Sequence, residues 1–405
     1  MRAIGLGGLR RLYEAAVTDE KNGRGPKLAT FYEEIKNGLD SKQIDPNRIS
    51  LSELFDNFVF DSKGDLCGRE LRESWNPKHG GGVQLLEAGN AVDTSVFSNI
   101  TGQIVYSTIM QVMASEVFAF SQLVTTVPTQ LSGEKIPGVG QLGDKAEVVG
   151  EAQQYPTVGV GEDYIETPAT TKRGLIVPVT KEAIFFDRTG LVLGRCRDVG
   201  EALAVGKEKR IIDAYVDENS TAHRYKWKGT SYATFQASTP WINIKSSNAL
   251  VDWTDIDAAE QILNAITDPN TGEPVMSEPT HLICCKELEQ TARRIVNASE
   301  ITVVTAGYAT SGNPTETKAG NPYRNKYQVL SSRLLAARMA TDTSWFLTNP
   351  AKQVAYMENW PMTIAQAPVN SEAEFTQDIV LRFKASERGA AAVMEPRVAV
   401  KSTVA

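Results

Sequence analysis

Hydrophobic positions change their spacing several times along the chain, and each change marks an element. In NITGQIVYSTIMQVMASEVFAF, from Asn99, the residues Ile104, Val105, Ile109, Val112 and Met113 recur with a period near 3.6, which predicts a buried helix. RGLIVPVTKEAIFFD switches to a period of two, with Leu175, Val177 and Val179 on one face and Ile176 on the other. Pro178 has no backbone donor, so this strand is expected at a sheet edge or close to its own end. TGLVLGRCRDVGEALAVGKEKRIIDAYVD reads as one long helix of about 40 Å at 1.5 Å per residue. Leu193, Cys196, Val199, Leu203, Ile211, Ala214 and Tyr215 share a broad face of it. Gly200 and Gly206 weaken that helix by about 1 kcal/mol each relative to Ala, unless a neighbour packs closely there.

Beyond this helix, ENSTAHRYKWKGTSYATFQASTPW predicts a loop or hairpin of aromatic and Thr residues, and from residue 252 the element types alternate. TDIDAAEQILNAI places Ile256, Ala259, Ile262, Leu263 and Ile266 on one helical face, with Thr254 or Asp255 as N-cap. THLICC is a short buried strand, KELEQTARRIVNA a second amphipathic helix, and YQVLSS and SWFLTN two more strands. FTQDIVLRFKASERGAAAVMEPRVAVKS closes the chain with two alternating runs joined by ERGAAA, Ile379, Leu381 and Phe383 opposing Arg382 and Lys384. The pattern is that of an α+β protein.

Two stretches lack such patterning. Residues 1–91 are polar and charge-balanced, with short helical pieces such as PKLATFYEEIKNGL and SLSELFDNFVF, where Leu51, Leu54, Phe55 and Phe58 recur behind a cap at Ser50 or Ser52. They predict a helical arm with little core of its own, ending in the flexible joint NPKHGGG. Residues 132–174 are mostly Gly, Glu, Gln, Thr and Pro, a ribbon that cannot assemble a core. A two-stranded ribbon alone is marginal in water, and ordering each residue costs about 1–2 kcal/mol. A second copy of the chain lying under the ribbon would supply the missing burial, so arm and ribbon together predict a protein built to be tiled.

Composition narrows the chemistry. The chain has 405 residues, is 41% hydrophobic, and carries a formal charge of −7, which disfavours wrapping nucleic acid through many phosphate contacts while leaving room for local contact with DNA. No run of about 18 apolar residues and no signal peptide is evident, so no membrane partner is expected. Cys67, Cys196, Cys284 and Cys285 are scattered and imply no disulfide framework, consistent with a reducing compartment.

Several motifs resemble sites. IPGVGQLGDKAEVVGE spells G-x-G-x-x-G at Gly138, Gly140 and Gly143, but no strand precedes it and no helical stripe follows, so the glycines are read as turns of the ribbon. HGGG at His79–Gly82 lacks the G-x-S-x-G elbow that an esterase would need. GEDYIE, residues 161–166, is read as a solvated turn rather than a cation site. His79, His223 and His281 lie far apart in sequence, and no metal motif is present. Asn99, Asn219 and Asn297 fall in N-x-[ST] triplets, read as chance without export. Cys284 and Cys285, with His281 nearby and a helix beginning after them, are the one candidate for a reactive thiol. No catalytic, cofactor-binding or metal-ligating residue is expected, and no cofactor.

NITGQIVYSTIMQVM, EKIPGVGQLGDKAEVVGEAQQYP, RGLIVPVTKEAIFFDRTGLV and LRFKASERGAAAVMEPR, taken in order, resemble the major capsid proteins of tailed bacteriophages with the HK97 fold, over about residues 92–400. The resemblance implies an N-terminal arm (1–91), the start of the capsid body (92–131), an extended β-hairpin loop (132–180), a peripheral domain with a long spine helix (181–252), an axial α/β domain (253–366) and closing strands of the peripheral domain (367–405). It also implies pentamers and hexamers in an icosahedral shell around double-stranded DNA, with portal, scaffold and decoration proteins as partners, virion localisation, and assembly in the cytoplasm of the bacterial host. Lys135 and Lys145 lie in the extended loop, where some relatives form crosslinks, but neither is matched to that reaction, and no crosslink is predicted from them. Residues 1–91 stand where some relatives carry a cleaved scaffold; a retained arm is expected instead. The competing readings are an encapsulin-like compartment enclosing a cargo enzyme, and an α/β enzyme working near Cys284.

Overall fold

A computed structural model describes residues 27–41, 91–113, 118–137, 163–180, 189–218, 224–227, 230–269, 272–305, 315–367 and 379–404, together with residues 44, 49, 50, 54, 148, 149, 151, 153–155 and 186. In chain order the elements begin with α1 (Lys27–Asp40), α2 (Ala91–Met113), α3 (Ala119–Leu123), β1 (Thr125–Pro128), β2 (Lys135–Pro137), β3 (Asp163–Glu166) and β4 (Thr171–Thr180). There follow α4 (Thr189–Val216), β5 (Arg224–Trp227), β6 (Thr230–Tyr232), β7 (Ile244–Lys245), α5 (Trp253–Ala265), β8 (His281–Cys285) and α6 (Glu289–Asn297). The remainder are β9 (Glu300–Thr305), β10 (Thr315–Gly320), β11 (Gln328–Ser332), α7 (Arg333–Ala336), β12 (Trp345–Thr348), α8 (Pro350–Gln353), β13 (Val354–Gln366), β14 (Ile379–Val393) and β15 (Ala399–Ser402). The chain is α+β, and its residues fall into two units, one of 1–117, 172–205 and 362–387, the other of 118–171, 206–361 and 388–405.

In the first unit, one apolar cluster collects Ile35 and Leu39 of α1, Ile100, Ile104, Val105 and Ile109 of α2, and Val192, Leu193, Cys196 and Leu203 of α4. Val177 and Val179 of β4, Met362 of β13, and Phe383 and Ala385 of β14 complete it. Ile44, Ile49 and Leu54 are buried in the same cluster, so this part of the N-terminal region contributes to a core. Of the stripe expected in α2, Ile104, Val105 and Ile109 are buried and Val112 is half-buried, while the helix starts earlier, at Ala91. Gly200 has the close neighbour its position calls for: a Cβ there would stand 3.1 Å from the Ile109 carbonyl oxygen, whereas one at Gly206 would meet nothing.

β4 is an edge strand, next to β14 in the order β1-β13-β14-β4, as Pro178 requires. Its first six residues are exposed, including Leu175 and Ile176, and only Val177 and Val179 turn into the core. Gly174 lies against β14 so closely that a Cβ would come 2.6 Å from the Ala385 carbonyl oxygen. Gly174→Ala is therefore expected to push the strands apart and to destabilise the first unit by about 1–3 kcal/mol, read as a lower denaturant midpoint in chemical unfolding.

The second unit is built on a five-stranded mixed sheet in the order β11-β8-β12-β15-β7. β8 runs parallel to β11 and antiparallel to β12, and β12 is antiparallel to β15. Both faces of the sheet are covered. Leu282, Cys284, Trp345 and Leu347 join one cluster with Ile256, Ala259 and Leu263 of α5 and Ala292, Ile295 and Val296 of α6. Ile283, Cys285 and Phe346 join another with Ile211, Ile212, Ala214, Tyr215 and Val216 of α4. Double coverage explains why HLICC and SWFLTN are apolar runs rather than alternating ones. α5 is capped by Asp252, two residues before the expected Thr254 and three before Asp255; Asp255 instead closes the capping box by accepting the Asp252 N–H at 2.9 Å.

The end of the chain departs from expectation. ERGAAA does not join two runs: β14 continues through it from Ile379 to Val393. The reason is packing, because Ala390, Ala391 and Ala392 are buried and a Cβ at Gly389 would lie 2.7 Å from the Tyr356 ring. β13 was not anticipated either; Pro361 and the polar pair Glu358–Asn359 break the alternation that would reveal it.

Candidate assembly surface

The base of the Gly-rich ribbon lies in the second unit and is held from both legs. β2 and β3 pair antiparallel, Lys135 opposite Glu166, Ile136 opposite Ile165 and Pro137 opposite Tyr164. β3 pairs in turn with β5, the first strand of the hairpin expected after the long helix, giving the order β2-β3-β5-β6. Side chains reinforce the closure: the Glu134 N–H donates to Thr167 Oγ1 at 2.7 Å, the Thr167 N–H donates to the Glu134 carbonyl at 2.9 Å, and the Thr170 N–H donates to Ser132 Oγ at 3.2 Å. Ile165 is buried with Trp241 and anchors the ribbon apolarly.

The first leg is also fixed on its other side. β1 runs parallel to β13, from Thr125 beside Ala355 to Pro128 beside Glu358. Past the end of that ladder, Asn359 Nδ2 donates to the carbonyls of Thr129 and Leu131, each at 3.0 Å. Arg388 Nε donates to Thr170 Oγ1 at 3.1 Å on the second leg. The base is thus rigidly defined, whereas Val148 and Tyr155 beyond it are 101% and 80% exposed.

The DYIE part of GEDYIE is a strand rather than a turn, Asp163–Glu166 forming β3, and Gly161 and Glu162 lie outside the described residues. Lys135, on β2, stands 3.8 Å from Glu166 and over the Tyr164 ring. Lys145, Gly138, Gly140 and Gly143 lie outside the described residues, as do His79, the HGGG segment, Cys67, His223 and Asn219. Asn99 lies within α2, and Asn297 is the exposed last residue of α6. Among the described residues no group of three or more His, Cys, Asp or Glu side chains is placed to hold a metal ion, and no helix is long and apolar enough to cross a membrane.

Cys284 and Cys285 are fully buried on opposite faces of β8. Burial pushes the Cys284 thiol up to about 12, with Cys285 and Glu289 adding to the rise, and pushes Cys285 up to about 11. His281 shares a face with Cys285, about 13 Å along the strand at 3.3 Å per residue. The imidazole instead meets Thr280 Oγ1 at 2.8 Å, and its own burial lowers its pKa. The helix that follows starts only at Glu289, whose carboxylate opposes thiolate formation. Cys196, buried in the first unit, is likewise pushed up to about 12. Native protein treated with iodoacetamide at neutral pH is therefore expected to keep Cys196, Cys284 and Cys285 unmodified, with their alkylation following only on denaturation, as read by peptide mass spectrometry.

The sequence drew attention to glycines and thiols and missed the side chains that fix the ribbon base, Thr167, Asn359 and Arg388. Thr167 extends the burial alternation of β3, with Ile165 and Thr167 buried and Tyr164 and Glu166 half-buried, but the residues DYIET carry no such alternation in sequence to reveal it.

Residues 164–402 match a protein family described as phage capsid protein. Similar solved structures include the capsid of cyanophage P-SCSP1u, at 13% identity and a TM-score of 0.43, covering 70% of this chain and 86% of that one. The capsid of a native GTA particle matches at 11% identity and a TM-score of 0.44, covering 72% and 91%. The SrpI encapsulin of Synechococcus elongatus matches at 12% identity and a TM-score of 0.40, covering 70% and 86%. No curated protein matches the chain significantly.

Proposed function

This chain belongs to the phage capsid protein family, and from that premise we propose that it is the major head protein of a tailed phage, a structural shell subunit with an HK97-like architecture. The observation that carries the reading is the family match, which spans 164–402 and so includes β4, the long helix α4, the five-stranded sheet and the closing strand β14. The geometry agrees with it: a firmly rooted ribbon base bears exposed Val148 and Tyr155, which a neighbouring subunit would cover. Residues 1–91 act as the arm, 132–180 as the extended loop, 181–252 with the closing strands as the peripheral domain, and 253–366 as the axial domain. The subunits form pentamers and hexamers, assembled in the cytoplasm of the bacterial host. Portal, scaffold and decoration proteins are the expected partners, and duplex DNA fills the particle. The net charge of −7 suits confinement, since a lining without many cationic contacts leaves the packaged strand free to move.

Electron microscopy of the purified full chain tests the reading. Closed icosahedral shells are the expected result, with nuclease-protected DNA inside particles recovered from infected cells. A monomer that melts as one cooperative unit at assembly concentrations would overturn it. Shells enclosing a protein cargo in place of DNA would decide for the encapsulin-like compartment.

A further inference from the structure

Helix α6 buries Ala292, Ile295 and Val296 in the core of the second unit, which leaves Gln290, Arg293, Arg294 and Asn297 exposed along its other side. The buried acid of the helix, Glu289, is shared by two cations, pairing with Lys286 and accepting from Arg293 Nε at 2.8 Å. After the β9–β10 hairpin the chain returns to the end of this helix. Asn321 Nδ2 donates to the carbonyls of Ile295 and Ala298 at 2.6 and 3.0 Å. The Asn325 N–H donates to the Val296 carbonyl at 3.0 Å, with Asn325 held at a φ of 56°. That turn sets the exposed Arg324 beside the last turn of α6, where Arg294 stands. The helix dipole favours one cation at this end, and Arg294 supplies it; a second guanidinium is more than the helix needs.

The acids nearby are engaged elsewhere. On α5, Asp257 accepts the Tyr323 hydroxyl at 2.8 Å, and Glu260 pairs with Lys326 and accepts the Tyr327 hydroxyl at 2.7 Å. Among the described residues neither Arg294 nor Arg324 has an ion-pair partner. From Lys286 to Lys326 the sequence holds six cations against four acids, in a chain of net charge −7. No large apolar side chain is exposed among the described residues of this stretch. A protein interface is organised around a buried aromatic or apolar anchor, whereas guanidinium and amide groups without one suit phosphate oxygens. We propose that the outer side of α6 and the adjoining turn, through Arg293, Arg294 and Arg324, form a contact point for the phosphate backbone of duplex DNA, without sequence preference, and that this side faces the inside of the shell. The inference rests on the shell reading, which supplies the DNA, and adds to it where the strand touches the wall. About three phosphate contacts per subunit hold a strand loosely, in keeping with an acidic chain that does not wrap nucleic acid.

The test measures binding of the full chain, as the free subunit, to a fluorescent duplex of mixed sequence by anisotropy between about 50 and 200 mM salt. About three phosphate contacts predict a slope of about −2.7 in log affinity against log salt, a fall of about fortyfold over that range. Arg294→Gln with Arg324→Gln should reduce the fall to about fourfold, and Arg294→Lys with Arg324→Lys should keep the wild-type slope, both pairs melting as wild type does. A control removes the same charge at exposed positions elsewhere, Arg333→Gln in α7 with Lys352→Gln in α8, and is expected to leave the slope unchanged. If the control weakens binding as much as the Gln pair, net charge suffices and the proposal is overturned. Wild-type binding by the Gln pair, or a lost slope in the Lys pair, would overturn it as well. A Gln pair that binds DNA normally yet assembles poorly would assign the face to an acidic surface of a second copy. Particles imaged with α6 on their outer surface would remove the interior placement. Should wild type form no particles at all, it is the shell reading that fails, a result distinct from particles whose Gln variant still holds DNA as wild type does.

Discussion

Arg397→Met is expected to destabilise the second unit by about 3–5 kcal/mol, the largest single-residue effect foreseen for this chain. The guanidinium is 1% exposed and sits between two buried carboxylates. Its Nε and Nη2 donate to the two oxygens of Glu395, each at 2.7 Å, and Nη1 lies 3.5 Å from Asp268 Oδ1. Glu395 also accepts the Arg397 backbone N–H at 3.0 Å, which starts the turn Pro396–Val398 leading into β15. Met fills a similar volume, so the loss comes from two carboxylates left in the interior without their cation rather than from a cavity. Two observations in urea unfolding would check this. The midpoint should fall without a change in slope, and the triple variant Arg397→Met, Glu395→Gln, Asp268→Asn should recover much of the stability. If the triple variant is as unstable as the single one, packing and not charge is what Arg397 supplies.

This ion cluster also shows where sequence reading stops. VMEPRVAVK displays Val398 and Val400 plainly, and the closing strand follows from them, but nothing in local spacing tells that Arg397 is interior or that Asp268 waits for it from more than a hundred residues away. Asn243 is another case: its amide donates to the carbonyls of Thr234, Pro396 and Ala399 and accepts from the Gln236 N–H, a network made wholly of distant or irregular backbone. Elements with a strong period were legible because burial on one side imposes that period. α4 and α5 bury Leu193, Cys196, Ile256, Ala259 and Leu263 as their stripes require. β13 was hidden because part of it is buried through Val354–Met357 without alternation, and ERGAAA looked like a turn because small residues serve turns and tight strand packing equally. The same ambiguity governs the assembly surface. A Gly-rich, acidic ribbon declares in sequence that it has no core, and its need for a partner follows; the strands and side chains that root it, β5 and Asn359 among them, are visible only in the fold.

Glu208→Ala is expected to cost about 3 kcal/mol, through the start of α3. Glu208 is 1% exposed on α4, and its two carboxylate oxygens accept the backbone N–H groups of Phe120 and Ser121, each at 2.9 Å, as well as the Ser121 hydroxyl. These N–H groups open a short helix whose own N-cap residue, Phe118, supplies no side-chain acceptor, so Glu208 performs the capping from afar. Without it the buried Phe120 N–H and the part-buried Ser121 N–H lose their acceptor, and Phe120, which packs on the Tyr215 ring at 5.5 Å, loses its fixed position. Desolvation raises the Glu208 pKa above its ordinary value, against the lowering effect of the Ser121, Phe120 and Lys207 partners. The folded chain consequently holds this proton more tightly than the unfolded chain does. Its contribution to stability is full below the unfolded pKa and declines as pH rises through the folded one. Glu208→Ala should therefore lower the unfolding free energy at every pH and also flatten its dependence on pH just above the usual carboxylate range. A variant as stable as wild type, or one whose pH profile keeps its full slope there, would show that the α3 turn is held by something other than this carboxylate.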